Sequence, residues 1–313
     1  MRRHLLMPPP WSTMVFPVLL FMETAAAQTV GESQGRQIPY LSTTARAAAL
    51  GDASGALLGG IEGLPSNPGV LAWLKGTRVE YSFHRVSPEA ALQHVAAGFR
   101  TGGSSGLALH LDILHYGGYD FFSQKEIRDR GFELNGGASW ATMFTEDLSG
   151  GLTVSVLNAT TDADPVQSVT ADFGLSYAPG RYHRFGFSVR GFGTDYDIVS
   201  PVIPPDVPDP RPSRTISLQA VFDYPLDAGG QRLMVVFEND KMIGRQGLLY
   251  KTGVEYQPLT AVMLRGGIQI RDNDVEPRGG LGTAVGPFAL DYAYRFHRGD
   301  GPSHVFTLTF SRD

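Results

Sequence analysis

The run Leu248-Leu249-Tyr250-Lys251-Thr252-Gly253-Val254-Glu255-Tyr256 decides the fold. Its even positions, Leu248, Tyr250, Val254 and Tyr256, are mostly apolar. Its odd positions hold Lys251, Gly253 and Glu255. The pattern resumes after a turn expected at Gln257-Pro258-Leu259: Val262, Leu264, Ile268 and Ile270 alternate with Arg265, Gln269 and Arg271. It returns in Phe288, Leu290, Tyr292, Tyr294 and Phe296, set against Asp291, Arg295 and His297. The last run sets Phe306, Leu308 and Phe310 against Thr307 and Thr309. A period of two is that of a strand with two unlike faces.

Working outward, about fourteen such runs fill the chain from Thr77–Ser87 to His304–Arg312. Almost nothing is left for helices after Leu74, which excludes an α/β fold. No stretch offers the 18 consecutive apolar residues of a membrane helix. A closed β-barrel also pairs every backbone polar group internally, so it crosses lipid without one. Mean hydropathy of −0.09 is compatible with that, because only every second strand residue faces lipid.

The connections separate two architectures, a barrel and a soluble sandwich. Alternate connections are short: Gly102-Gly103-Ser104, Glu146, Pro179-Gly180-Arg181 and Gly286-Pro287. Several of the others are long or charged, among them Gly117 to Arg130, Ala159 to Val166 and the Pro-rich Asp197 to Ser213. Short turns at one end and long loops at the other are the habit of outer-membrane barrels. Phe144, Tyr177, Tyr224, Tyr256 and Phe310 fall at the last turns of even-numbered strands, as an aromatic girdle at the short-turn interface would. The expected fold class is all-β: a transmembrane antiparallel barrel of about 14 strands over residues 77–313. Leu248, Val262, Leu264, Leu290, Tyr292 and Leu308 are expected to face lipid.

The opposite face carries Asp112, Glu133, Asp172, Arg190, Lys251, Glu255, Arg265, Asp291 and Arg295. With both signs interspersed, it reads as a polar lumen, closer to a plugged barrel than to an apolar conduit. Gly117-Gly118 and Gly136-Gly137 are candidate positions for a strand kink.

Ahead of the sheet, residues 1–27 read as a cleaved signal peptide. Arg2 and Arg3 precede the short apolar core Met14 to Met22, and Ala25-Ala26-Ala27 forms the cleavage site. Export to the cell outer membrane follows. Residues 28–76 do not alternate. An Ala-rich run that stops at Gly51, and an Asn67-Pro68-Gly69 helix start, suggest short helical turns in a plug-like segment.

The chemistry-bearing motifs are few. The 313 residues include no Cys, and the net charge of −5 makes nucleic acid an unsuitable partner. Phosphate loops, metal-spaced His clusters and nucleophile elbows are absent from the sequence, and no cofactor or enzyme activity is expected. His84 and His110, with Ser82 and Ser105 nearby, are the pairs a barrel hydrolase would use.

Ala45-Arg46, Leu50-Gly51-Asp52-Ala53 and Asn67-Pro68-Gly69-Val70-Leu71-Ala72 lie directly before the first strand. With the closing strand His304 to Phe310 they resemble PorV/PorQ-like proteins of the FadL-like outer-membrane superfamily. The plug motif carried over is Arg46, Gly51, Asn67, Pro68 and Gly69. Leu50 and Asp52 depart from the family's Gly-Met-Gly-Gly pattern. The resemblance implies a 14-stranded barrel whose N-terminal segment enters or caps the lumen. It also implies one of two roles. The first is protein secretion or surface attachment of the type IX kind, with secreted cargo or secretion components as partners and Ser200 to Ser213 as the partner loop. The second is a FadL-like channel for fatty acids or other hydrophobic small molecules. A soluble periplasmic β protein is the remaining reading.

Overall fold

A computed structural model of the chain describes residue 38 and residues 41–312, except for 88–89, 117–118, 121–124, 127–130, 161–164, 195–196, 199–213, 227–229, 245, 272–273 and 297–301. The signal segment and the partner loop Ser200 to Ser213 lie outside the described residues.

Fourteen strands form the wall: β1 Thr77–Ser87, β2 Ala90–Arg100, β3 Ser105–Tyr116, β4 Gly131–Met143, β5 Leu148–Thr160, β6 Pro165–Tyr177 and β7 His183–Gly193, followed by β8 Thr215–Pro225, β9 Arg232–Met242, β10 Leu249–Leu259, β11 Val262–Arg271, β12 Asp274–Val285, β13 Phe288–Arg295 and β14 Ser303–Arg312. Each pairs antiparallel with its neighbour in sequence. β1 pairs with β14, Thr77 opposite Arg312 and Arg85 opposite His304, which closes the barrel. Closure leaves the wall no edge to present to lipid. Both ends of the wall therefore lie at the short-turn end. Among the described residues no helix is long and apolar enough to cross a membrane.

The alternation separates an outer face from an inner one. Leu264, Leu290 and Leu308 are exposed on the outside, with Leu248, Val262 and Tyr292 partly covered by neighbours on the same face. Tyr292 packs on Phe306, ring centroids 5.0 Å apart. Lys251, Glu255, Arg265, Asp291 and Arg295 are buried on the inside.

Three expectations need correction. The turn expected at Gln257-Pro258-Leu259 is strand. The chain turns at residues 260–261, and Gln257 and Pro258 form a bulge between the pairs Tyr256–Leu264 and Leu259–Val262. A bulge tolerates proline because one residue there leaves the ladder, so the missing N–H is not needed. Gly136-Gly137 makes no kink: β4 keeps one unbroken register with both β3 and β5 through those residues. Gly117-Gly118 lie outside the described residues. The loop asymmetry is also narrower than the sequence suggested. β5, β6 and β12 extend into connections read as loops, so the contrast rests mainly on residues 117–130 and 194–214.

A plug-like segment lies inside the barrel, from Ile38 and Leu41 against Leu92, Leu114 and Leu157 to Leu71 and Leu74 near the short turns. Its ordered parts are α1 (Ala45–Ala49) and a 3-10 turn, Pro68–Trp73. Thr44 caps α1 by accepting the Ala47 N–H. The Asn67 side chain accepts the Gly69 N–H, with Pro68 at the first helical position. Leu50, Leu57, Ile61, Leu71 and Leu74 of the plug are all fully buried. They pack on small or apolar lumen-facing residues, Ala96, Ala108 and Ala141 on one side and Val221, Met234 and Val236 on another. The lumen is therefore apolar where it meets the apolar face of the plug. An apolar plug face needs an apolar wall, because unpaired charge there would be desolvated without compensation.

Candidate functional site

The plug backbone rests on wall glycines. A Cβ on Gly253 would lie 2.6 Å from the Leu50 carbonyl oxygen. One on Gly106 would lie 2.5 Å from the Leu71 oxygen, and one on Gly151 2.5 Å from the Pro68 oxygen. Each of these glycines occupies a lumen-facing position of its strand, where any other residue would displace the plug. Glycine interrupting the polar face is the sequence signal that locates these contacts.

Charged groups fasten the plug between those contacts. The Arg46 Nε and Nη2 donate to the two carboxylate oxygens of Glu255 at 2.9 and 3.0 Å, and Nη1 donates to Glu62 at 3.3 Å. Glu255 also accepts from Arg265 at 2.6 Å, and Arg265 from its other side reaches Asp291 at 2.5 Å. Glu62 in turn accepts from Arg78 at 3.2 Å. Bidentate guanidinium–carboxylate contacts of this kind fix orientation as well as charge. On β9, one Glu238 oxygen accepts the Ser54 and Gly55 N–H groups at 3.1 and 2.9 Å, and the other accepts from Lys251 at 2.8 Å. Asn67 Nδ2 donates to the Leu175 carbonyl at 2.9 Å, and Ala45 N–H donates to Thr307 at 2.8 Å.

Asp52 stands where the resembled family has glycine, and the backbone gives the reason glycine suits the position. Gly51 and Asp52 both adopt left-handed φ, 71° and 61°, as the chain leaves α1. Aspartate is one of the few non-glycine residues that tolerate this region. Here it gains a partner: its carboxylate pairs with Arg278 and accepts from Gln269 at 3.0 Å. Burial alone would raise the Asp52 pKa, but Arg278 and then Arg295 hold it at about 2. Glu62 is likewise buried and is held below the usual carboxylate range by Arg46 and Arg78. Arg46 stays protonated for the same reason, with Glu255 and Glu62 outweighing its burial.

The long-loop half of the lumen holds a cavity of about 230 Å³ above the plug. Its walls come from β2 to β11, and the plug supplies the rest of its lining. Asp112, Asp172, Arg190 and Lys251 of the expected lumen set line it. Glu255, Arg265, Asp291 and Arg295 do not. Glu133 also falls outside it and accepts the Ile38 N–H at 3.2 Å. His94, missed as a functional candidate, bridges Asp112 at 2.5 Å and Glu80 at 3.2 Å at the cavity wall. Asp240 and Arg278 were also missed, because the expected strands stopped one residue short of Asp240 and began too late to place Arg278 mid-strand. Continuing the same alternation past Glu238 would have found Asp240, which pairs with Lys251 at 2.7 Å.

The girdle residues sit as follows. Phe144 lies just past β4, Tyr177 ends β6, and Tyr224, Tyr256 and Phe310 fall in the last turns of β8, β10 and β14, all at the short-turn end. Phe144, Tyr177 and Tyr224 are exposed, and Phe310 packs against Phe288. Neither hydrolase pair forms. Ser82 bonds Thr307, Ser105 bonds Thr142, and His84 bonds Ser303 at 2.7 Å with both side chains enclosed away from the cavity. Among the described residues no group of three His, Asp or Glu side chains is placed to hold a metal ion.

No protein-family model and no curated protein matches the sequence. The architecture does match solved structures. The Pseudomonas putida toluene transporter TodX aligns with a TM-score of 0.63 at 11% identity, over 87% of this chain and 98% of that one. The Ralstonia pickettii toluene transporter TbuX aligns at 0.56 and 13%, over 86% and 98%. A FadL homologue from Pseudomonas aeruginosa aligns at 0.54 and 10%, over 85% and 97%. At such identities the likeness is one of fold.

Proposed function

We propose that this chain is an outer-membrane channel of the FadL-like superfamily that admits small hydrophobic molecules from the long-loop side. The observation that supports this most is the cavity in the lumen, beside a plug fastened by side chains of the barrel wall. A stopper held by discrete side-chain contacts is released when those contacts break, and a cavity beside it gives a solute somewhere to wait. The wall-to-wall likeness to solved hydrocarbon transporters points the same way. The cavity is smaller than a drug-sized pocket, so it suits compounds of one ring or a short chain.

The secretion or attachment reading rests on the resemblance of the two chain ends, and its partner loop lies outside the described residues; the likeness to solved hydrocarbon transporters favours the channel. The test is uptake of radiolabelled toluene by cells with an intact lipopolysaccharide leaflet, with and without the protein. Uptake that rises with expression is expected. Unchanged uptake, together with co-purification of a secreted protein, would replace the channel by the attachment reading.

A further inference from the structure

The cavity is not lined as a hydrocarbon site would be. Its wall across β3 to β6 presents a row at one level: His110 is opposite Gly137, Gly137 opposite Ser155, and Ser155 opposite Thr170. A side chain at Gly137 would run into both His110 and Ser155, so those two lean toward each other over the gap. Asp172 lies two residues from Thr170 on the same face. One of its carboxylate oxygens accepts the Gly191 N–H at 2.7 Å, beside a bulge where β6 and β7 change register. Its other oxygen, and the Ser155 and Thr170 hydroxyls, accept and donate nothing among the described residues. Arg190 closes the row: Nη1 donates to the Pro65 carbonyl and Nη2 to Ser217 and Asp240, while its buried Nε finds no partner among them. The plug adds apolar Ile38, Leu41, Ile61 and Leu64 to the lining, among polar Ser42, Asp52 and Ser54.

The cavity thus combines apolar patches with donors and acceptors of unused valence. A pure hydrocarbon would cover those groups without replacing their hydrogen bonds, which is unfavourable. An ammonium would meet Arg190 and Lys251, and a carboxylate would meet Asp112 and Asp172, so neither ion finds a field of one sign. A neutral hydroxyl both donates and accepts. Resting on the channel reading, we propose that the cavity binds a small neutral amphiphile: an apolar ring or short chain carrying a hydroxyl. Its hydroxyl donates to Asp172 and accepts from Thr170, Ser155 or Arg190, and its apolar body lies on the apolar part of the lining.

Toluene and phenol differ by a methyl and a hydroxyl at the same place on one ring, which makes them the probes. The full chain in nanodiscs, corrected against empty nanodiscs, is dialysed to equilibrium with toluene, phenol, benzoate or benzylammonium. Phenol is expected to bind at least about tenfold more tightly than toluene, the ratio worth one hydrogen bond to a charged group. Both ions are expected to bind more weakly than phenol. Asp172→Asn keeps an acceptor for the Gly191 N–H but removes the charged one, and should bring phenol close to the level of toluene, while Ser155→Ala with Thr170→Val, which removes hydroxyls that support no other described contact, should lower the preference in part; in both the barrel stays heat-modifiable on gels. Equal binding of toluene and phenol, or tightest binding of an ion, overturns the hydroxyl assignment, and toluene uptake by cells would still uphold the channel. Failure of both toluene and phenol to enter cells overturns the channel and the assignment together.

Discussion

Replacing Arg46 by methionine should loosen the plug without unfolding the wall. The side chain makes three charge-assisted hydrogen bonds, two to Glu255 and one to Glu62, and it is mostly buried. Removing one partner of a buried ion pair typically costs about 3–5 kcal/mol when the survivor is stranded. Here neither survivor is stranded, because Glu255 keeps Arg265 and Glu62 keeps Arg78. The expected cost is therefore about 2–4 kcal/mol, which shifts the seated–unseated equilibrium of the plug by about 30- to 1000-fold. The chain has no cysteine, so one placed at buried Ala56 reports that equilibrium by its rate of maleimide labelling. Arg46→Met should accelerate labelling by that factor and leave the heat-modifiable mobility of the barrel unchanged. Glu255→Gln should act through the same contact, so the double variant should fall short of the sum of the two by about 1–3 kcal/mol. Labelling within threefold of the parent, or strict additivity, would refute the latch.

Other perturbations test other parts of the structure. Gly253→Ala should raise Ala56→Cys labelling, since its methyl has to push the Leu50 carbonyl aside, whereas Gly266→Ala, with open space around it, should not. Acid should release the plug. Asp52 and Glu62 have lowered folded pKa values, so the stability they give is fully present above their ordinary values near pH 4 and is lost as pH falls below them, through about 2 for Asp52. Asp52→Asn should flatten the lower part of that labelling profile; a profile identical to the parent's would remove Asp52 from the set of anchors. Leu109, 60% exposed in mid-β3, should cost about 2–4 kcal/mol when changed to Arg, measured by urea unfolding from lipid vesicles. A neutral result there would mean that this face does not meet the bilayer core.

The sequence by itself determined the wall. Side chains alternate across a strand because the backbone is pleated, so Leu264 outside and Arg265 inside follow from local covalent geometry. Fourteen such runs with both ends on the short-turn side follow from counting. It also marked α1, Gly51 and the Asn67-Pro68 turn, since capping and glycine stops act within a few residues. Only the tertiary structure decided what the inward face meets. Arg46 and Glu255 are 209 residues apart, and their contact depends on how the plug threads the closed barrel. The same threading divides the lumen, placing Gly253, Met234 and Val236 under the plug while His110, Ser155, Thr170 and Asp172 line the cavity above it. Alternation assigned these residues to one inner face without distinction. Separating plug seat from cavity took the height of each along the barrel, set by strand register and by where the plug comes to rest.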